Sequence, residues 1–151
     1  MQGNSVSQVK PYLFFDGRCD EALDFYQRAL GAEVLHLFRF KDSPPQDARE
    51  GCGPMTAEMG DKVMHACIQI GNAQVFASDG MCQGKPSFQG ISLAYETASD
   101  AEAERIFAAL AEGGQIQMPI APSFFSSRFG MVADRFGVSW MVTVAPAAAA
   151  A

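Results

Sequence analysis

An α+β fold made of two copies of one small βαβββ unit is predicted by three observations on the sequence. The order strand, helix, strand, strand, strand is written twice. Each copy carries one helix with apolar residues at i, i+3, i+4 and i+7 spacing. Each copy ends in a hairpin marked by Gly beside Asn or an acid-aromatic-Gly turn. The copies span residues 9–80 and 88–145, flanked by flexible tails at 1–8 and 146–151. A repeat too small to close its own core implies modules that pack together or pair with those of a second chain.

In the first copy "VKPYLFFDG" (9–17) reads as a strand with aromatic residues on both faces and a terminal turn. "CDEALDFYQRALG" follows, with Ala22, Phe25, Tyr26 and Ala29 on one helical stripe and Gly31 as the stop. "AEVLHLFRF" (32–40) is a strand, and the polar Pro- and Gly-containing loop 41–61 is long enough to suggest a mobile flap or an interface element. "KVMHACIQIGNAQVFASDG" (62–80) is a hairpin turning at Gly71 and Asn72. Alternation puts His65, Cys67 and Gln69 on one face of its first strand, and Met64, Ala66, Ile68 and Ile70 on the other.

The second copy repeats the order. "FQGISLAYET" (88–97) is a strand, and the helix over 99–114 opens on a capping box, Ser99 with Glu102, and closes on a Gly pair. Its stripe is Ala103, Ile106, Phe107 and Leu110. "QIQMPI" (115–120) is a short strand, "APSFFSSRFG" a loop, and "MVADRFGVSWMVTV" the closing hairpin, in which Trp140 packs toward the helix and Met141 toward the opposite face.

Composition excludes several classes of function. With 48% hydrophobic and 19% charged residues the chain can bury a real core. A formal net charge of -6 with only 11 scattered Lys and Arg argues against a nucleic-acid partner. No window reaches the roughly 20 apolar residues that span a bilayer, so a cytoplasmic protein without membrane contact is expected. Cys19, Cys52, Cys67 and Cys82 form no CxxC pair, and no His lies at finger spacing. Cys67, inside an apolar strand, reads as a small buried hydrophobe in a reducing compartment.

The stretches "PYLFFDG", "EALDFYQRALGAEV", "KVMHACIQIG", "ASDG" and "SSRFGMVADRFGVSWMV" resemble the vicinal oxygen chelate superfamily, the group of glyoxalase I, bleomycin-resistance proteins and extradiol dioxygenases. Within it the chain is similar to the PhnB-like branch, often labelled 3-demethylubiquinone-9 3-methyltransferase-like. The resemblance covers about residues 9–145. It implies curled antiparallel sheets, each forming half of a cup, and a homodimer.

Metal-dependent members of that superfamily hold a divalent ion with four side chains, typically His, Gln or Glu. Laid on this sequence, the resemblance puts those positions near Lys10 or Tyr12, at Phe76, near Ser92 and at Met141. A cationic amine, a phenyl ring, a hydroxyl and a soft thioether do not make a site for Mg, Mn, Ni or Zn. No metal and no cofactor is therefore expected. Methyl transfer from S-adenosylmethionine, in its usual form, needs a parallel sheet with a Gly-rich turn at a helix N-terminus, and no such turn follows the first strand.

His65 is the candidate catalytic residue, a group able to act as a general base near neutral pH from a mixed strand face. The competing role is that of a hydrogen-bonded structural histidine. Asp79 could orient it or simply start the "SDG" turn, and His36 could share an ion with it. Arg39 and Arg128 offer guanidinium forks for an anion, or serve as strand-end charges. Tyr12, Phe14, His65, Cys67, Phe76, Ser92, Arg128 and Met141 are the candidate ligand-binding residues. The function expected is metal-independent binding of a small hydrophobic or aromatic molecule in the cup of a dimer; the alternative is an isomerase, lyase or dioxygenase-like enzyme using His65.

Overall fold

The computed structural model describes residues 7–42, 57–80 and 86–146. Cys52, Cys82, positions 43–56 of the long loop and most of both tails lie outside the described residues. The chain divides into two compact units, Met1–Pro86 and Ser87–Ala151.

The first unit holds strand β1 (Tyr12–Phe14), helix α1 (Cys19–Leu30), β2 (Glu33–Arg39), a short helix α2 (Ala57–Gly60), β3 (Val63–Ile70) and β4 (Ala73–Ser78). Its sheet runs in the order β1-β4-β3-β2. The helix begins and ends as the sequence predicts: Asp20 and Glu21 lie in the first turn and Arg28 in the last, which suits the helix dipole. Gly31 takes the left-handed conformation, φ 68, and its N–H donates to the Gln27 carbonyl at 3.1 Å. The stripe buries Cys19, Ala22, Leu23, Phe25, Tyr26, Ala29 and Leu30. Ala66, Ile68, Val75 and Ala77 are buried on paired positions of β3 and β4, and this is the face α1 covers. A Phe or Leu side chain moved there from water contributes roughly 1.5–3 kcal/mol.

The second unit repeats the plan with β5 (Leu93–Thr97), α3 (Asp100–Ala111), β6 (Gln115–Ala121), β7 (Phe129–Ala133) and β8 (Ser139–Val144), in sheet order β5-β8-β7-β6. Ser99 caps α3 by accepting the Glu102 N–H at 3.2 Å, while the Glu102 carboxylate accepts the Ala98 N–H at 3.3 Å. Ala103, Ile106, Phe107 and Leu110 are buried, and α3 packs on β7 and β8. Phe25 of α1 and Ile106 of α3 occupy the same place in their helices, so the repeat seen in the sequence is a repeat of structure.

Three expectations need correction. The sheets are mixed, because β1 pairs with β4 and β5 with β8 in parallel. The cause is topological: a helical crossover makes the first two strands of each unit run the same way, and two hairpins return the fourth strand to that direction. The strand expected over 88–97 starts only at Leu93, since Gly90 at φ 81 turns the chain before it. The helix expected over 99–114 ends at Ala111, with Glu112 as an extended cap and the Gly pair beyond it. No helix among the described residues is long and apolar enough to cross a membrane.

Candidate functional site

The face of the first sheet turned away from α1 carries six rings in contact. Register places Tyr12 opposite Phe76, Phe76 opposite Cys67, and Phe38 opposite His65. Tyr12 stacks on Phe14 with centroids 4.7 Å apart and planes 10° from parallel. His65 lies 4.9 Å from Phe76, 5.5 Å from Tyr12 and 5.5 Å from His36, and His36 lies 5.6 Å from Phe38. These spacings are those of mutually attractive aromatic pairs. The cluster is open to solvent: Tyr12 is 39%, Phe38 48% and Phe14 49% exposed.

A β-bulge puts His36 and Phe38 there. Glu33 faces Gln69 and Val34 faces Ile68, but the register shifts between Val34 and His36, so His36 pairs with Cys67. One inserted residue, Leu35, moves the side chains from His36 to Phe38 to the other face, before a second shift at Arg39. Strict alternation from Glu33 would have sent His36 and Phe38 to the helix side.

At the centre, the Tyr12 hydroxyl and His65 Nδ1 are 2.8 Å apart. Burial lowers the His65 pKa below 6.5, and neighbouring His36 adds to the effect. Burial raises the Tyr12 phenol above 10.0. Both groups are thus neutral near pH 7 and share one hydrogen bond. Either the phenol donates to Nδ1 and His65 offers an N–H at Nε2, or Nδ1–H donates to the phenol oxygen and Nε2 offers a lone pair.

The His65 shift has a measurable consequence. Well above pH 6.5 the ring is neutral in the folded and unfolded chains alike, and it contributes no pH dependence. Below 6.5 the unfolded chain takes up the proton first, so stability falls with falling pH until the lower folded pKa is reached. Chemical denaturation at a series of pH values is expected to show this decline in the native chain and a shallower one in His65→Gln.

The other candidates are placed as follows. Cys67 is buried beneath the rings, with Sγ 4.0 Å from Gln74 Oε1. Ser92, Arg128 and Met141 belong to the second unit. Ser92 lies before β5, with Oγ 3.0 Å from Ser139 Oγ, and Ala94 is the residue opposite Met141. Met141 also faces Met131, which in turn faces Met118. Arg128 is ion-paired with Glu104 at 2.6 Å and Asp100 at 3.5 Å. Arg39 is held by both carboxylate oxygens of Asp20, at 2.8 and 2.9 Å. Trp140 is buried on the helix side, and its indole N–H donates to Asp134 at 2.9 Å. Asp79 does not touch His65; its carboxylate accepts the N–H groups of Gly17, Cys19 and Val63. Burial, with the Asp79 charge nearby, pushes the Cys19 thiol far up, so that it stays protonated and unreactive. Among the described residues no group of three or more His, Cys, Asp and Glu is placed to hold a metal ion.

Residues 7–143 match the family described as 3-demethylubiquinone-9 3-methyltransferase. Protein YjdN of Escherichia coli K12 is 38% identical over 139 residues, covering 90% of this chain and 94% of YjdN. Among solved structures, protein PA1353 from Pseudomonas aeruginosa is 41% identical with a TM-score of 0.77, covering 92% of this chain and 98% of that one. The PhnB protein from Bacillus cereus is 26% identical with a TM-score of 0.72, covering 92% of this chain and 100% of its own. Glyoxylase/bleomycin resistance protein/dioxygenase and fosfomycin resistance proteins at 15% and 12% identity share the fold alone. This chain therefore belongs to the 3-demethylubiquinone-9 3-methyltransferase family, with the PhnB protein of Bacillus cereus among its relatives.

Proposed function

We propose that the protein binds a small aromatic or hydrophobic molecule on the open face of the first sheet, without a metal ion. The observation that carries this reading is the run of six touching rings, three of them between 39% and 49% exposed. A folded chain gains nothing by leaving so much contiguous aromatic surface wet, and a flat ligand covering it would release that water. The donor chemistry supports the second half of the reading: Tyr12 and Phe76, opposite each other, supply a phenol of raised pKa and a phenyl ring.

A thermal-shift screen of aromatic fragments, followed by calorimetric titration, tests it. Binding is expected to survive chelators and to weaken about tenfold in Phe76→Ala, near the 1.4 kcal/mol worth of one lost stacking partner. Unchanged affinity in Phe76→Ala and Tyr12→Ala, or binding lost on chelation, would overturn it. The homodimer implied by the family resemblance is part of the same reading and is read out by sedimentation velocity.

The bond between Tyr12 and His65 favours a second reading, an enzyme that uses the pair to move a proton on the bound molecule. Its signature is His65→Ala abolishing turnover while ligand affinity stays within a few-fold.

A further inference from the structure

Lys10 is half-buried at the rim of the ring cluster, with Nζ 5.0 Å from the Phe76 centroid and 2.6 Å from Gln74 Oε1. Those contacts use one ammonium hydrogen and one aromatic face, and neither neutralises the charge. Arg18, Arg28, Arg39, Lys41, Arg128 and Arg135 each reach a carboxylate within 3.2 Å. In a chain of net charge -6 such partners are abundant, and yet among the described residues Lys10, like Lys62 and Arg105, reaches none; of these, Lys10 is the one that lies over Phe76.

Beside Lys10 lies a groove of about 490 Å³ lined by Gln8, Gln69, Asn72 and Gln74 together with Lys10, and no carboxylate lines it. Gln74 and Phe76 are alternate residues of β4 and share the open face, so groove and rings meet at Lys10. Arg39 is taken by Asp20, and among the described residues Lys10 is the cation that lies over a ring of the cluster. Side-chain amides and an ammonium are donors suited to an anion, and the ring cluster beside them is suited to a flat apolar body.

We propose that the ligand of this face is an aromatic acid, its ring stacked against Tyr12, His65 and Phe76 and its carboxylate on Lys10 Nζ within the amide-lined groove. The inference rests on the ring-face reading above and narrows it to one substrate class.

Calorimetric titration of the full chain with benzoate, phenylacetate and 2-naphthoate, each against its uncharged amide, tests the class. At least one acid is expected to bind about tenfold more tightly than its amide, as a charge-assisted contact allows, and the advantage is expected to shrink with added salt. Lys10→Met is expected to bring acid and amide to equal affinity. Phe76→Ala, checked for an unaltered melting temperature, is expected to weaken both. Equal binding of acid and amide by the native chain would overturn the acid inference and leave the ring-face reading standing. Binding of both that ignores Phe76→Ala, or no binding of any of the six, would sink the two together.

Discussion

Asp79→Ala is expected to lower the unfolding free energy by about 3–5 kcal/mol, the range for removing a buried group on which several donors depend. Asp79 is 1% exposed, and its two oxygens accept the N–H of Gly17 at 2.6 Å, Cys19 at 2.9 Å and Val63 at 2.9 Å. These donors come from the turn after β1, the first residue of α1 and the first residue of β3. One carboxylate, just past β4, therefore ties the turn and helix start at residues 17–19 to the start of β3. Alanine would leave the Cys19 and Val63 N–H groups buried and unanswered, and that of Gly17 without its partner. Guanidinium titration followed by circular dichroism measures the loss. A change below about 1 kcal/mol would show that the three bonds are replaced by solvent.

The second large effect is expected at Asp134, which is 3% exposed and opens the closing hairpin. One oxygen accepts the N–H groups of Phe136 and Val138 at 2.9 and 3.1 Å, and the other accepts the Trp140 indole N–H at 2.9 Å. Asp134→Ala is expected to cost about 2–4 kcal/mol. Asp134→Asn is expected to cost less but still to destabilise, because the amide has one acceptor oxygen where three donors converge. Loss of the fixed Trp140 environment gives a direct readout, a drop in near-ultraviolet circular dichroism that precedes any loss of helix signal. The two aspartates are not equivalents in the repeat: Asp79 follows the fourth strand of its unit, whereas Asp134 follows the third of its own. The duplicated units thus share strand order and helix stripe and differ in the buried acid that fastens them.

Much of the fold was readable from local pattern. The stripe and Gly31 stop of α1, the Ser99 cap of α3 and the Gly71–Asn72 turn all depend on residues within a few positions of one another. The parallel β1–β4 and β5–β8 pairs depend on which edge the crossover reaches, and no local spacing encodes that. For the candidate site, Tyr12, Phe14, His65, Cys67 and Phe76 were legible because each lies on a regular strand whose parity the alternation gives. Phe38, and the face on which the candidate His36 lies, were hidden by the bulge at Leu35, which leaves no signature in composition. Lys10 over Phe76 was hidden as well, since it joins residues 66 apart in sequence through the β1–β4 register.

The outermost strand of the second sheet, β6, has six of its seven side chains exposed, with Ile116 and Met118 among them. A flat apolar edge of that kind invites another chain to add itself as a further strand. Here the strand carries Pro119, which has no N–H to offer, and its register breaks on both sides of Met118. The interrupted ladder gives an incoming strand no regular row of donors and acceptors to match. That irregularity, costly as local pairing, works against growth edge by edge.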